Sequence, residues 1–200
     1  MDIKSRILHQ ATQMFFKYGI RSITMDEVAE SLGMSKRTLY ESFSNKEELL
    51  TKCIEYQYQE GLQIRKEIVA KHADDPLEIL RQNFRVALIT LNNIHPNFFN
   101  DLQKYYWKVR DRHVNEKQQE NIEFTQSIIE KGMEKGVFRK DLNSNILSIM
   151  IHSVMQIINS PDEFPESRFP RAEVFRQSFL NFIRGMATEE GLKLIDEKFQ

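Results

Sequence analysis

Residues 24–50 read TMDEVAESLGMSKRTLYESFSNKEELL, and this stretch decides how the N-terminal part of the chain folds. Its apolar residues recur at i, i+3, i+4 and i+7, the spacing of one helix face: Met25, Val28, Ala29 and Leu32. Thr24 precedes this helix and Glu27 follows three residues later, so each side chain can cap the other's backbone amide. Gly33 comes after the last apolar position, where a left-handed glycine commonly ends a helix. The sequence therefore predicts a short capped helix and a tight turn.

The next segment predicts a second short helix with an unusually polar surface. Ser35 can cap a helix over Lys36–Ser42, and this helix offers a core only Leu39 and the ring of Tyr40. A helix of about two turns is marginal without packing, so its polar positions indicate another use. They suit phosphates and base edges better than a core: Lys36, Arg37, Thr38, Glu41 and Ser42.

A third helix follows, because Ser44 and Glu47 form a second capping pattern that opens a helix at Asn45. Three such helices could belong to an ordinary helical bundle. A helix, a glycine turn and a polar second helix instead favour a helix-turn-helix, which lays its second helix in a DNA major groove. The helix predicted over residues 2–18 carries a broad apolar stripe that should pack on the next two helices.

Residues 19–50 also resemble the DNA-binding segment of the tetracycline-repressor (TetR) family of bacterial transcriptional regulators, nearly position for position. The resemblance covers about the first quarter of the chain, and the remainder is similar in length and helical character alone. The matching positions are Gly19, Thr24, Val28, Ala29, Leu32, Gly33, Ser35, Thr38, Leu39, Tyr40, Phe43, Asn45, Lys46, Leu49 and Leu50.

The resemblance implies which residues contact DNA. Lys36 and Arg37 begin the second helix of the motif, where an arginine or lysine can donate to guanine O6 and N7. Other positions match those that touch phosphates in the family: Thr24, Thr38, Tyr40 and Lys46. With Ser35, these residues form the predicted DNA-binding set.

The rest of the chain predicts helices alone. Helical apolar spacing recurs throughout, and no segment shows sustained period-two alternation between turn residues. Asp75, Pro76 and Glu78 mark a fresh helix start. The predicted fold is all-α, with a helix-turn-helix DNA-binding domain at residues 1–48 and a larger helical effector-binding and dimerisation domain at residues 49–200.

Composition and targeting signals narrow the class of protein. A formal net charge of −1 argues against broad electrostatic coating of nucleic acid, so any DNA contact must be a focused patch. The single cysteine, Cys53, excludes an intramolecular disulfide and fits a reducing cytoplasm. No stretch approaches the roughly 18 apolar residues that a membrane span needs, and no signal peptide is visible. We expect a cytoplasmic protein with no membrane partner.

The sequence gives no support to an enzyme. The five histidines are widely separated and lack the spacing of metal ligands, and there is no phosphate-binding loop or nucleophile elbow. We therefore expect no catalytic residue, no metal and no cofactor.

A helix is predicted to open at His95 and Pro96 and to carry aromatic residues as far as Trp107. These aromatic residues could line a cavity for an apolar or amphipathic effector or simply form core. Helix order and family analogy extend this predicted pocket to Phe84, Leu88, His95, Phe98, Leu102, Tyr106, Phe124, Ile128 and Met155.

Two late segments are predicted to carry the dimer interface. Residues 145–158 are apolar nearly all round, and residues 175–186 carry phenylalanines at helical spacing. In the family the last two major helices pair with those of a second subunit. The alternative is that both segments form core within a single subunit. The predicted interface residues are Ile146, Ile149, Met150, Phe175, Phe179, Phe182 and Ile183.

The sequence thus predicts a homodimeric, ligand-responsive transcriptional regulator, in the main a repressor that a small molecule releases from its double-stranded DNA operator. The alternative is a helical interaction or architectural DNA-binding protein that has no small-molecule effector. The two differ in whether the chain needs a ligand cavity coupled to the helix that begins near Asn45.

Overall fold

The computed structural model describes the backbone of residues 2–158, 160 and 162–199, with all side chains in that range except those of residues 114 and 115. These residues form ten α-helices, and an isolated antiparallel bridge pairs Phe138 with Ala187. The prediction of an all-α fold is confirmed. The helices are α1 (Ile3–Tyr18), α2 (Met25–Ser31), α3 (Lys36–Ser42), α4 (Lys46–Lys71), α5 (Pro76–Asn93), α6 (Pro96–Tyr105), α7 (Trp107–Glu134), α8 (Ser144–Ile158), α9 (Arg171–Met186) and α10 (Glu189–Lys198).

Two local predictions need correction. The helix start near Ser44 is capped one residue later than predicted, because Asn45 Oδ1 accepts from Glu48 N at 2.9 Å. The Glu48 carboxylate, rather than that of Glu47, reaches back to Ser44 N at 2.7 Å. The aromatic helix after Pro96 also ends before Trp107, since Tyr106 leaves the helical conformation and separates α6 from α7.

The chain packs as two compact units that differ from the predicted functional domains. The first unit contains Met1–Ile64 and Asn93–Asn115, and the second contains Arg65–Asn92 and Glu116–Gln200. Helices α4 and α7 therefore begin in the first unit and continue into the second. The division at residues 48 and 49 concerns function rather than packing, and it stays a prediction.

The core of the first unit joins the three N-terminal helices to α4 and α6. Each helix contributes side chains that are almost completely buried, which explains why such short helices are stable. The members include Ile7 and Phe15 of α1, Val28 of α2, Leu39 of α3, Leu49 and Leu50 of α4, and Phe98 and Leu102 of α6.

Cys53 lies inside this core, so its thiol should be unreactive in the native protein. Burial raises the pKa of its thiol to about 12, so the reactive thiolate is scarce at neutral pH. We expect native protein to resist a thiol reagent at pH 8 that labels the protein at once in denaturant. Because the folded-state pKa is raised, this group favours folding below its unfolded pKa near 9, and that contribution disappears as pH rises towards 12. Rapid labelling of the native protein would contradict the burial.

The second unit contains two apolar clusters. One surrounds Phe138 and Ile183, both almost fully buried, and includes Leu77, Ile129 and Ile195. The other is aromatic: the ring of Phe84 stacks on those of Phe179 at 4.6 Å and Phe175 at 5.5 Å between centroids. Stacked rings at these distances add to the stabilisation from buried area.

Candidate nucleic-acid interface

The helix-turn-helix is built by the caps and the turn that the sequence predicts. Thr24 Oγ1 accepts from Glu27 N at 3.2 Å, while the Glu27 carboxylate accepts from Thr24 N at 2.7 Å, so the capping box before α2 is confirmed. Gly33 has φ +63°, the left-handed conformation expected at this turn. Ser35 Oγ accepts from Thr38 N at 3.1 Å and opens α3.

Helix α3 has one buried side chain and exposes most of the others. Leu39 is fully buried in the core of the first unit, whereas the Tyr40 ring is 47% exposed. Ser35, Lys36 and Arg37 are also exposed at the start of α3. The predicted DNA-binding residues therefore lie on an accessible surface that a single buried leucine fixes on the domain.

Lys36 and Arg37 each pair with a carboxylate. Lys36 Nζ lies 2.5 Å from Asp26 Oδ2, and Arg37 Nε lies 2.8 Å from Glu41 Oε1. The hydrogen bond that Lys36 donates to the Asp26 carboxylate raises the pKa of Lys36, so this group is charged at neutral pH. Exposed pairs of this kind contribute little to stability because water screens them, so phosphates or base edges can displace the carboxylates.

Lys46 differs from these two residues because it is half-buried. Its Nζ donates to the Arg21 carbonyl at 3.4 Å, which places the ammonium beside the turn that precedes α2. Burial lowers the pKa of Lys46, and the nearby carboxylate of Asp101 opposes that shift. The ammonium is thus a positioned cation, which suits a phosphate contact better than base reading.

Two side chains of α6 also hold the turn that precedes α2. The buried carboxylate of Asp101 accepts a hydrogen bond from Arg21 N at 2.7 Å. The Arg21 guanidinium lies over the Tyr105 ring at 4.3 Å and donates to its hydroxyl at 3.0 Å. Asp101 therefore fixes the backbone of this turn, and Tyr105 holds the side chain of Arg21.

Two further contacts hold α6 against α1, and a glycine allows the close approach between them. His95 N donates to the Phe16 carbonyl at 2.6 Å, and the rings of Phe16 and Phe98 meet edge to face at 5.0 Å. Gly19 has φ +84°, and a Cβ there would lie 3.0 Å from the Cβ of Asn97. A side chain at Gly19 would therefore meet both backbone strain and close contact.

The contact between Arg21 and Asp101 is not revealed by local sequence patterns. Asp101 lies between Phe98 and Leu102 on an amphipathic helix, but its spacing does not reveal which backbone amide it meets 80 residues earlier. A buried acid on an otherwise apolar helix face was the one available signal, because such a group needs a partner.

The predicted pocket residues fall in different places. Phe98, Leu102 and Tyr106 pack in the core of the first unit, and His95 caps α6. Phe84, Leu88 and Met155 belong to the aromatic cluster of the second unit. Ile128 and Phe124 also lie in the second unit, where Ile128 is buried and Phe124 is half-buried. The nine residues therefore do not form one packing cluster, because α6 directs its apolar face into the first unit. Their role in effector binding stays a prediction.

The predicted dimer residues differ in how exposed they are within the protomer. Ile146, Ile149 and Met150 are 56%, 44% and 48% exposed, so α8 is not buried on all sides within the protomer. Phe175 and Ile183 are buried and Phe179 packs in both clusters of the second unit, whereas Phe182 is half-buried. The 1% exposure of Ile183 corrects its assignment, because it leaves no surface for a second subunit.

Neither a metal centre nor a membrane segment is found in the described part of the chain. No group of three or more histidine, cysteine and acidic side chains there could hold a metal ion. No helix there has the length and apolarity that crossing a bilayer requires.

Known proteins share both the motif and the fold. Residues 7–53 match the family described as bacterial regulatory proteins, tetR family. The repressor KstR2 of Mycobacterium tuberculosis is 21% identical over 192 residues, which are 94% of each chain. A TetR-family regulator from Marinobacter aquaeolei has a TM-score of 0.70 at 20% identity over 99% of both chains. A putative regulator from Saccharomonospora viridis, solved with choline, has a TM-score of 0.71 at 18% identity and covers 93% of this chain and 98% of its own.

The fold and the capped, exposed α3 define a helix-turn-helix DNA-binding regulator of transcription. Its N-terminal residues 7–53 match the TetR family of bacterial transcriptional regulators, and the whole chain is similar in fold to members of that family.

Proposed function

We propose that the chain is a homodimeric repressor that a small apolar or amphipathic molecule releases from its operator. The DNA-binding part of this proposal rests on the exposed residues at the start of α3, a helix that Leu39 fixes on the core. Lys36 and Arg37 read bases, while Thr24, Ser35, Thr38, Tyr40 and Lys46 position the domain on phosphates. The protein acts in the cytoplasm, as a regulator rather than an enzyme.

An apolar stripe on α8 supports dimerisation. Ile146, Ile149, Met150 and Ile157 are all at least 44% exposed and recur at i, i+3, i+4 and i+11. Ser153, also exposed, fills position i+7 with a small side chain. A continuous exposed apolar stripe is costly in water and marks an interaction surface. A second copy of the stripe is its natural partner, since a two-fold axis pairs identical surfaces.

Several similar proteins support an effector. The relative from Mycobacterium tuberculosis is a repressor, and its structure is described as a ketosteroid transcriptional regulator. Another similar structure contains choline, and a third is called a gamma-butyrolactone receptor. Choline and a gamma-butyrolactone differ chemically, so these two structures support the presence of an effector without indicating its class.

Release requires that the effector bind one conformation more tightly than another. Helix α4 begins with the DNA-contacting Lys46 and continues into the second unit. A tilt of α4 would change the separation of the two DNA-binding heads, whose half-sites lie roughly 34–36 Å apart or at multiples of that distance. A change of a few ångströms would weaken both contacts together.

Two substitutions test the assignment of DNA contacts. An operator is first selected from random-sequence DNA with the wild-type protein. Arg37→Ala should then cost about 1–3 kcal/mol and relax preference at one base pair, because a base contact is lost. Lys46→Ala should weaken all sequences alike and flatten the salt dependence by about one unit. Lys104→Ala removes an exposed lysine of α6 and serves as the control. Equal, sequence-independent losses from Arg37→Ala and Lys46→Ala would refute the assignment.

A further inference from the structure

An exposed arginine beside the helix-turn-helix is held at three points. Arg21 lies in the turn between α1 and α2, where its N–H donates to the buried carboxylate of Asp101 at 2.7 Å. Its carbonyl oxygen accepts from Lys46 Nζ at 3.4 Å. Its guanidinium lies 4.3 Å from the centroid of the Tyr105 ring, and Nη1 donates to the Tyr105 hydroxyl at 3.0 Å. An arginine side chain has many rotamers to lose, so such order on an exposed surface calls for a physical reason.

The Arg21 guanidinium contacts an aromatic ring and a phenol rather than a carboxylate. Lys36 and Arg37, on α3, each pair with an acidic side chain. Within the part of the chain that the structure describes, the Arg21 guanidinium forms no ion pair, and its hydrogen bond goes to Tyr105. A ring and a hydroxyl orient the guanidinium and leave its charge in place, so its remaining N–H groups are available to an anion.

This guanidinium lies beside residues that are already predicted to contact phosphates. Its turn leads into α2, which Thr24 caps, and Lys46 begins α4. Burial lowers the pKa of Lys46, and the carboxylates of Asp101 and Glu27 oppose that shift. The charge of Arg21 lowers the same pKa further, so the two cations lie within electrostatic reach of each other. Two cations held in this way repel, and an anion beside them relieves the repulsion.

Fastening α6 to the domain does not explain the contact between Arg21 and Tyr105. The helix is already held by the Asp101 carboxylate and by the buried side chains of Phe98 and Leu102. The Tyr105 ring is 53% exposed, so packing it against a guanidinium buries little area. Its effect is instead to fix the orientation of a charge at the surface.

We propose that Arg21 contacts a phosphate of the operator backbone beside Lys46, and that Tyr105 is the positioning residue that holds its guanidinium. The inference rests on the proposed function, because it extends the DNA-contacting surface of that regulator to a residue that α6 positions. A guanidinium that lies over a ring donates along its edge, where it matches the paired oxygens of a phosphate. Because phosphates carry no sequence information, Arg21 should add affinity without base preference.

The test compares operator binding by the full-length wild-type protein and by Arg21→Gln over a series of salt concentrations. Arg21→Gln should lower affinity about tenfold for each DNA-binding head, because a hydrogen bond to a charged group is lost. The slope of log affinity against log salt should become shallower by about one unit for each head. Arg21→Lys should recover the slope but only part of the affinity, since an ammonium keeps the charge and lacks the planar fork. Arg85→Gln, which removes an exposed arginine of α5, should change neither quantity.

A second measurement locates the contact and tests the role of Tyr105. Operators that carry one uncharged methylphosphonate at each backbone position in turn reveal the phosphate at which wild type loses affinity and Arg21→Gln does not. This phosphate should be the one found in the same way for Lys46→Ala, or its immediate neighbour. Tyr105→Ala should weaken operator binding by wild type and have no further effect in Arg21→Gln, because it acts through Arg21.

The proposal is overturned if Arg21→Gln keeps the wild-type salt slope, if it loses no more affinity than Arg85→Gln, or if its phosphate lies away from that of Lys46. Equal effects of Tyr105→Ala in both backgrounds overturn the positioning role. Thermal melting confirms that each variant is folded, and Arg21→Ala provides the same readings if Arg21→Gln is not. A wild-type operator with no effect of Arg21→Gln overturns this inference alone, whereas a wild-type protein that selects no operator overturns the proposed function as well.

Discussion

Ile149→Asp should give a folded monomer that has lost specific operator binding, although every DNA-contacting residue is unchanged. Ile149 is 44% exposed in the apolar stripe of α8, so the protomer itself tolerates a polar group there. In a dimer the same carboxylate would be buried against apolar side chains, which costs several kcal/mol unless the subunits separate. The dimer should therefore dissociate before the protomer unfolds.

Operator affinity should fall by about two to four orders of magnitude, because joining two heads makes the second contact effectively intramolecular. A single head offers a two-turn helix and a few phosphate contacts, which is a small interface for a specific site. Sedimentation velocity reports the subunit state, an operator titration reports affinity, and circular dichroism confirms that the helices remain.

Ile89→Asp is the matched control. Ile89 lies on α5, is 59% exposed and is outside the stripe, so its replacement should leave both the dimer and operator affinity unchanged. A monomeric Ile149→Asp protein that still binds a full operator like wild type would show that dimerisation does not support DNA binding. A wild-type protein that sediments as a monomer at micromolar concentration would refute the interface directly.

Asp101→Ala should loosen the helix-turn-helix from a position outside it. Its carboxylate accepts from Arg21 N at 2.7 Å and is buried, so removing it leaves a backbone amide without its acceptor. Such a loss costs about 1–3 kcal/mol. The turn before α2 should become mobile, operator affinity should fall, and the Arg21 amide should lose its protection from hydrogen exchange.

Two variants make this result specific. Asp101→Asn keeps an oxygen that can accept from Arg21 N, so it should retain most of the exchange protection while lacking the charge near Lys46. Asp111→Ala removes a partly exposed aspartate of α7 that pairs with Arg110, and it should behave like wild type. If Asp101→Ala keeps wild-type exchange protection at Arg21 and wild-type operator affinity, α6 does not position the DNA-binding helices.

Local signals in the sequence predicted the helix-turn-helix well. Thr24 and Glu27 form the predicted capping box, Gly33 takes the predicted left-handed turn, and Ser35 caps α3. These interactions join residues three or four positions apart, so spacing alone specifies them. The cap before α4 was misplaced by one residue because Ser44 and Asn45 are both good caps and only the backbone geometry chooses between them.

Long-range packing was not predictable in the same way. The aromatic face of α6 was assigned to an effector pocket, yet Phe98 and Leu102 pack with the helix-turn-helix. Phe175 and Ile183 were assigned to a dimer interface, yet both are buried within the protomer. An apolar face indicates that a helix will be covered, but its spacing does not identify what covers it.

The sequence by itself determined the all-α class, the start and end of most helices, and the polar surface of α3, because all of these depend on residues within a few positions of one another. Only the tertiary structure decided that Asp101 holds the Arg21 amide and that α8 keeps its apolar stripe exposed. Asp101 and Arg21 are 80 positions apart, and partners at such separations are chosen by the packing of whole helices rather than by any local pattern.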